Sequence, residues 1–168
     1  LGSQGVLRKL VAPLAQQVGQ LWQQGELTVA QEHFATAVIR TFVGNLARPF
    51  ALPDCAPNLI VATPAGQLHE LGAVLVAAAA ATLGWRVTYL GVGLPATEIA
   101  GAARQNDARA VALSIVYPAD DPALPAELVS LRRQLPPHVA ILTGGRAATA
   151  YRATLDRLGA EVLTGLDD

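Results

Sequence analysis

The sequence predicts an α/β fold: a flavodoxin-like (Rossmann-like) five-stranded parallel sheet preceded by a partial helical-bundle cap. Three observations support this. From residue 58 onward, short apolar runs alternate with helical runs of about ten residues. Gly84, Asn106, Pro136-Pro137 and Gly159 stand where those helices should stop. The first fifty residues, by contrast, carry helical periodicity only. Strands joined through helices form a parallel sheet with right-handed crossovers. Five such units favour the strand order 2-1-3-4-5, with the switch point beside the first strand.

The elements follow in order. Leu7, Leu10, Val11, Leu14, Val18 and Leu21 recur at helical spacing, and Gly25 interrupts after Trp22. Thr28 suits the cap of a second helix reaching about Leu46, with Val29, Phe34, Ala37, Val38, Thr41 and Phe42 as apolar positions and Pro49 as its stop. Two helices leave apolar surface uncovered. Helices upstream, the following domain or a second protomer should cover it. The opening Leu-Gly-Ser-Gln-Gly suggests a C-terminal piece of a longer protein. A proline-rich linker, 49–57, divides this cap (1–50) from the sheet domain (57–168). The sheet domain should contain strand 58–63, helix 68–83, strand 86–90, helix 96–105, strand 109–115, helix 123–135, strand 138–142, helix 147–158 and strand 161–164.

Composition narrows the class. Of 168 residues 52% are apolar, enough to fill a domain core. Formal charge is −1 and no basic block occurs, so this piece should not contact nucleic acid through phosphates. The single Cys55 excludes an intrachain disulfide and a Cys-rich zinc site. Neither a signal peptide nor an apolar run of membrane length is present, which predicts a cytoplasmic protein with no membrane contact.

The stretch 63–72, Thr-Pro-Ala-Gly-Gln-Leu-His-Glu-Leu-Gly, places His69 at the carboxyl edge of the first strand, where open α/β sheets bind ligands. Alone, such a histidine is more often a solvated residue of the first helical turn. Here it has company: Gly91-Val92-Gly93 after strand two, Ser114 closing strand three, and Thr143-Gly144-Gly145 after strand four. Glycines admit a ligand close to the backbone, and a serine hydroxyl can bond a heteroatom in a narrow slot. Five consecutive alanines, Ala77 to Ala81, make the first helix slim enough to leave a crevice. A deep, small-walled channel beside a metal-ligating imidazole suits a corrinoid whose nucleotide tail has left the cobalt. Asp120-Asp121, Arg146, Arg104, Arg132-Arg133 and Tyr117 read as loop or solvated positions, with Arg146 and Tyr117 able to border the ligand.

Gln67-Leu68-His69-Glu70-Leu71-Gly72, then Ser114, then Gly144-Gly145, resembles the Asp-x-His-x-x-Gly, Ser-x-Leu and Gly-Gly pattern of cobalamin-binding domains, over residues 57–168. The resemblance implies base-off cobalamin with His69 as the lower cobalt ligand. It further implies that Ser114 touches the tail base, that Gly144 and Gly145 line the tail pocket, and that Gly72 and Val116 belong to the same cofactor-binding set. Two positions depart from the pattern. Gln67 replaces a carboxylate that would raise the ligand's basicity through the far ring nitrogen, and Val116 replaces leucine.

The string 21–33, Leu-Trp-x-x-Gly-Glu-Leu-x-Val-Ala-x-Glu-His, resembles the cap of MerR-type, cobalamin-dependent photoreceptor repressors (the CarH and LitR group). That likeness implies Trp22 over the upper corrin face and Glu32-His33 around an adenosyl group. Read from the residues alone, Trp22 is equally a core aromatic at a helix end, and Glu32-His33 a solvated face. Adenosylcobalamin is favoured; methylcobalamin is the other form the pattern admits. Gln23 stands where the best-known light receptors carry a histidine that captures cobalt after photolysis, so that route is closed here.

Three functions compete. The leading one is a non-enzymatic light sensor that changes homo-oligomeric assembly and acts on DNA through a domain upstream. A corrinoid methyl carrier is the alternative; it would want the carboxylate that Gln67 replaces. A receiver-type domain fails for lack of acidic residues at the strand ends, which close in Ala62-Thr63-Pro64 and Ser114.

Overall fold

The computed structural model describes residues 2–46 and 52–166. Five strands form one sheet: β1 (Asn58–Pro64), β2 (Arg86–Leu94), β3 (Ala110–Ser114), β4 (Ala140–Gly144) and β5 (Glu161–Val162). Their order is β2-β1-β3-β4-β5 and every pairing is parallel, as the alternation of elements predicts. All five positions of β3 are buried, the mark of a strand covered on both faces.

The cap begins with α1 (Ser3–Val6), passes through a π turn (Leu7–Val11) and continues as α2 (Ala12–Gln23). Gly25, at φ 75°, reverses the chain. A reciprocal capping box then starts α3 (Val29–Leu46): Gln31 N–H donates to Thr28 Oγ1 at 3.3 Å while Thr28 N–H donates to Gln31 Oε1 at 2.9 Å. Pro49, the expected stop, lies outside the described residues.

The remaining helices are α4 (Leu71–Thr82), α5 (Ala96–Gln105), α6 (Leu124–Gln134) and α7 (Arg152–Arg157), the last preceded by a 3-10 turn, Ala148–Tyr151. On one face of the sheet α5 and α6 pack Ile99, Leu124 and Leu128 against Ile60, Val111 and Leu113. On the other, Ala73 and Ala80 of α4 meet Leu59, Val61, Ala110 and Ala112. The outer side of α4, Val74, Leu75 and Ala78, receives Leu7, Val11, Val18, Ile39 and Val43 of the cap. Helix α4 is thus apolar all round because it lies between sheet and cap.

Several expectations are corrected. The alanine run seats α4 on the sheet instead of leaving a crevice along it, since methyl-sized side chains permit close approach. Helix α4 starts at Leu71, not 68, so His69 lies on the loop before it. Strand β2 continues to Leu94, and its pairing with β1 shifts after Val61 and again after Ala62. Gly91 (φ 101°) and Gly93 (φ 68°) therefore shape an irregular strand end and do not form a loop beyond it. Strand β4 starts at Ala140 because Val139 N–H first closes a turn onto Pro136 O at 3.1 Å. On α3 the buried residues are Ile39 and Val43, whereas the expected stripe is solvent-facing, with Phe34 72% and Phe42 50% exposed. The helix carries two apolar stripes, and α4 takes the β-branched one.

Candidate functional site

The site is built at the carboxyl edge of β1. Gly66, at φ 81°, lets Gln67 N–H return to Pro64 O at 3.0 Å, closing a tight turn. Buried Thr63 fastens that turn, donating to Gln67 O and accepting the Gly93 N–H at 2.8 Å. The ligand loop is therefore tied to β1 and β2 before His69 leaves it.

Gln67 is fully engaged elsewhere than the sequence suggests. Its Oε1 accepts from Val116 N–H at 2.9 Å and Tyr117 N–H at 3.0 Å, and its Nε2 donates to Pro118 O at 3.0 Å. The amide is 1% exposed. It pins the loop after β3, whose Tyr117–Pro118 peptide is cis, and its carbonyl oxygen, the acceptor that could back a ring N–H, is taken by two backbone N–H groups. A carboxylate here would have no donor for Pro118 O.

His69 stands in an aromatic group. Its ring centroid lies 5.5 Å from that of Trp22, on the cap, and 5.9 Å from Tyr117. Trp22 and Tyr117 meet edge-on at 6.4 Å. Burial lowers the His69 pKa; the Glu32 carboxylate opposes that, and the Arg146 and His33 charges add to it. The favoured form is the neutral imidazole, the one with a lone pair to give a metal. Glu32 accepts from Thr36 Oγ1 at 2.9 Å and lies 3.1 Å from His33 Nδ1, so the pair faces the site as one polar unit. His33 itself is largely exposed.

Beneath the loop, Gly72 opens the first turn of α4 directly against Ser114. A Cβ at Gly72 would collide with Ser114 Oγ and stand 3.8 Å from Val116 Cγ2. Ser114 Oγ is the only buried side-chain polar atom without a hydrogen-bond partner among the described residues. At the tip of β4, Gly145 (φ 97°) has no space for a side chain beside the Ile115 carbonyl. Gly144 O accepts the Ile115 N–H at 2.8 Å, joining the tips of β3 and β4. Gly72, Ser114, Val116, Gly144 and Gly145 thus form one small-walled seam holding an unused hydroxyl.

The structure brings together Trp22, Glu32, His33, His69, Gly72, Ser114 and Val116, with the glycine pair adjoining. His138 is elsewhere: it precedes β4, at the opposite sheet edge. Gly93 contributes through its N–H to Thr63 and by lying against Leu68 of the loop, and Gly91 has no neighbour in the site. Sequence reading missed Glu70, Arg40 and Tyr89. Arg40 Nη1 lies 3.2 Å from Glu70 Oε1, and Tyr89 OH donates to Glu70 Oε2 at 3.2 Å. Glu70's adjacency to His69 was the only signal available. Among the described residues no three His, Cys, Asp or Glu side chains are grouped to cage a free ion. His69 is a lone donor, which fits a metal arriving with its other ligands already in place.

The loop at the switch point thus carries a single imidazole beside a seam of small residues, the place where open α/β sheets bind ligands. The model of the B12 binding domain matches residues 57–166, and a second B12 binding domain model matches residues 4–47. The chain belongs to the B12-binding domain family. It is 32% identical over 160 residues to the HTH-type transcriptional repressor CarH of Myxococcus xanthus, covering 95% of this chain and 53% of that protein. It is 31% identical over 135 residues to the repressor CarA of the same organism, covering 80% and 46%. The chain therefore spans about half the length of these curated relatives. Ethylmalonyl-CoA mutase of Methylorubrum extorquens is 30% identical over 103 residues, 61% of this chain and 15% of the mutase. In fold the chain is similar to the monomethylamine corrinoid protein of Methanosarcina barkeri, with TM-score 0.68 at 15% identity, covering 98% of this chain and 79% of that one. No helix among the described residues is long and apolar enough to cross a membrane.

Proposed function

We propose that this chain is the cobalamin-binding sensory region of a light-responsive transcriptional regulator, holding the cofactor base-off with His69 as the lower cobalt ligand. The observation that carries the reading is the seam under His69. An unpartnered Ser114 hydroxyl faces Gly72, where any side chain would block the space. A flat heteroaromatic tail would enter here by parting α4 from β3 beyond the contact seen now, gaining the Ser114 hydroxyl as a partner, with Val116, Gly144 and Gly145 as further walls. Residues 1–50 act as the cap and residues 57–168 as the domain that binds the tail.

Bound cobalamin supplies a cobalt–carbon bond that visible light cleaves, while the protein supplies orientation and exclusion of water. Trp22 shields the upper face, and Glu32 with His33 lines the space for an adenosyl group. Gln23 has no imidazole, so His33 is the only cap histidine. A methylated upper group fits the lower site equally, and the Glu32-His33 unit favours adenosyl. The protein acts without catalysing a reaction: loss of the upper group frees the cap, and cap position sets assembly into homo-oligomers. DNA contact belongs to a domain of the full-length regulator outside this chain, and the cytoplasm is its expected location.

A corrinoid methyl carrier is the second reading, favoured by the likeness of fold to the monomethylamine corrinoid protein. Gln67 weighs against it, because it stands where that cycle wants a carboxylate and its amide oxygen is taken by the N–H groups of Val116 and Tyr117.

The test is an absorption spectrum of protein reconstituted with adenosylcobalamin, before and after green light, with size measured in both states. Wild type should bind base-off and bleach with a change of oligomer size, and His69→Ala should lose the histidine-ligated spectrum. Unchanged size on illumination defeats the switch. Methyl transfer from methylcobalamin to a thiol with a partner enzyme would support the carrier instead.

A further inference from the structure

Glu70, next to the proposed ligand, has no part in holding a tail or an upper group, yet both of its carboxylate oxygens are engaged. One carboxylate oxygen meets Arg40 Nη1 of α3 at 3.2 Å, and the other accepts from Tyr89 OH of β2 at 3.2 Å. The carboxylate is 22% exposed and Arg40 56%, so the pair sits at the rim and not in bulk solvent. Burial and Glu70 push the Tyr89 pKa up to about 12, keeping its hydroxyl a donor. One side chain therefore joins the cap, the ligand loop and the sheet.

The way the cap is seated gives this junction its meaning. Helix α3 buries only Ile39 and Val43, both in its C-terminal half and both against α4. Its N-terminal half, with Glu32 and His33, overhangs the site without a buried residue. Arg40 stands about 12 Å along the axis from Glu32, on the anchored side. Over the site itself Trp22 rests on His69 with ring centroids 5.5 Å apart. An imidazole bonded to a metal through one ring nitrogen at about 2 Å, with a flat macrocycle about 3.5–4 Å from the indole above it, would span more than the present gap between the two rings. No such slab fits at that separation, so the overhanging end must lift to admit one while the anchored end stays down.

On the cobalamin reading, we propose that Glu70 is a positioning residue for His69 and the pin of the cap. Through Arg40 and Tyr89 it fixes the ligand loop between α3 and β2, so that engagement of His69 and elevation of Trp22 occur about one fixed point. Loosening the pin lets the imidazole wander and the cap swing independently of it.

The experiment compares wild type, Glu70→Gln, Arg40→Gln and the exchange Arg40→Glu/Glu70→Arg, each first shown to be folded by circular dichroism. Each is loaded with adenosylcobalamin in the dark and washed to measure cofactor loss. The Co(II) form of each is examined by electron paramagnetic resonance for nitrogen splitting from the imidazole. The single variants should lose cofactor up to about fivefold faster, as loss of a rim ion pair implies, with a broadened nitrogen splitting. The exchange variant should regain part of each, since the ion pair returns while Tyr89 OH loses its acceptor. Variants matching a nitrogen-ligated wild type in rate and splitting overturn the pin, as does an exchange variant no better than the singles. A wild type without imidazole splitting overturns the ligand assignment itself, and this proposal with it.

Discussion

Gly72 lies so close over the Ser114 hydroxyl that a side chain on α4 at that position would have to displace it. Helix propensity alone would favour alanine over glycine by about 1 kcal/mol. The collision should reverse that preference, since overpacking costs about 1–3 kcal/mol. Gly72→Ala should therefore lower the urea midpoint and weaken cobalamin binding together. Ser114→Ala removes an unpartnered buried hydroxyl and should leave stability unchanged or slightly higher. The double variant should regain stability but not affinity. A Gly72→Ala protein more stable than wild type would show that the seam is looser than the structure has it.

Gln67 acts as a structural pin in its own right. Gln67→Leu leaves two N–H groups unbonded in a buried setting and Pro118 O with only the long 3.4 Å bond from Tyr151 OH, at about 1–3 kcal/mol for each group that water cannot reach. A loss of about 2–4 kcal/mol in urea unfolding is expected after partial solvation. Gln67→Glu keeps both acceptor contacts, and as the protonated acid it can still donate to Pro118 O, so its loss should be smaller at low pH and grow as the buried carboxyl is forced to ionise. Equal losses would place the energy in packing and not in the amide.

The lowered pKa of His69 gives stability a pH dependence of definite sign. The unfolded chain, titrating near the ordinary imidazole value of about 6.5, takes up its proton before the folded chain does. Stability should be full above that value, fall as pH drops through it, and level off below the folded pKa. Urea midpoints from roughly pH 5 to 8 should show this slope in wild type and a shallower one in His69→Ala. Identical slopes would place the imidazole in solvent.

Tyr89 gives the opposite case. Its folded pKa is raised to about 12, so the Glu70 contact contributes stability that is present below the ordinary tyrosine value and lost as pH rises through the folded one. Alkaline unfolding of Tyr89→Phe should begin from lower stability and lack the decline that wild type shows above about pH 10. Phenolate absorbance that rises at the ordinary tyrosine value would remove the hydrogen bond to Glu70.

Much of the fold was legible because it rests on local rules. Helix α5 runs over the residues its stop signal Asn106 marks, and Thr28 with Gln31 starts α3 as a capping pair does. Strand order followed from the alternation of elements, since right-handed crossovers leave few topologies. The errors also had local causes. Periodicity found an apolar stripe through Phe34, Val38 and Phe42, but it cannot say which of two stripes a neighbouring helix will take. Gly91 and Gly93 resembled a loop because glycine marks irregular strand ends and turns alike.

The sequence by itself determined the alternating architecture, the placing of His69 after the first strand, and the likeness carried by Trp22, Glu32-His33, Ser114 and Gly144-Gly145. Backbone propensity and side-chain period act over a few residues, so one chain suffices to read them. Only the tertiary structure decided that Gln67 serves residues 116–118, that Glu70 joins Arg40 to Tyr89, and that Trp22 lies on His69. These partners stand 19 to 51 positions apart in the chain for the hydrogen bonds. A buried polar group bonds whatever the packing of sheet, loop and cap brings within reach, and local pattern holds no record of that choice.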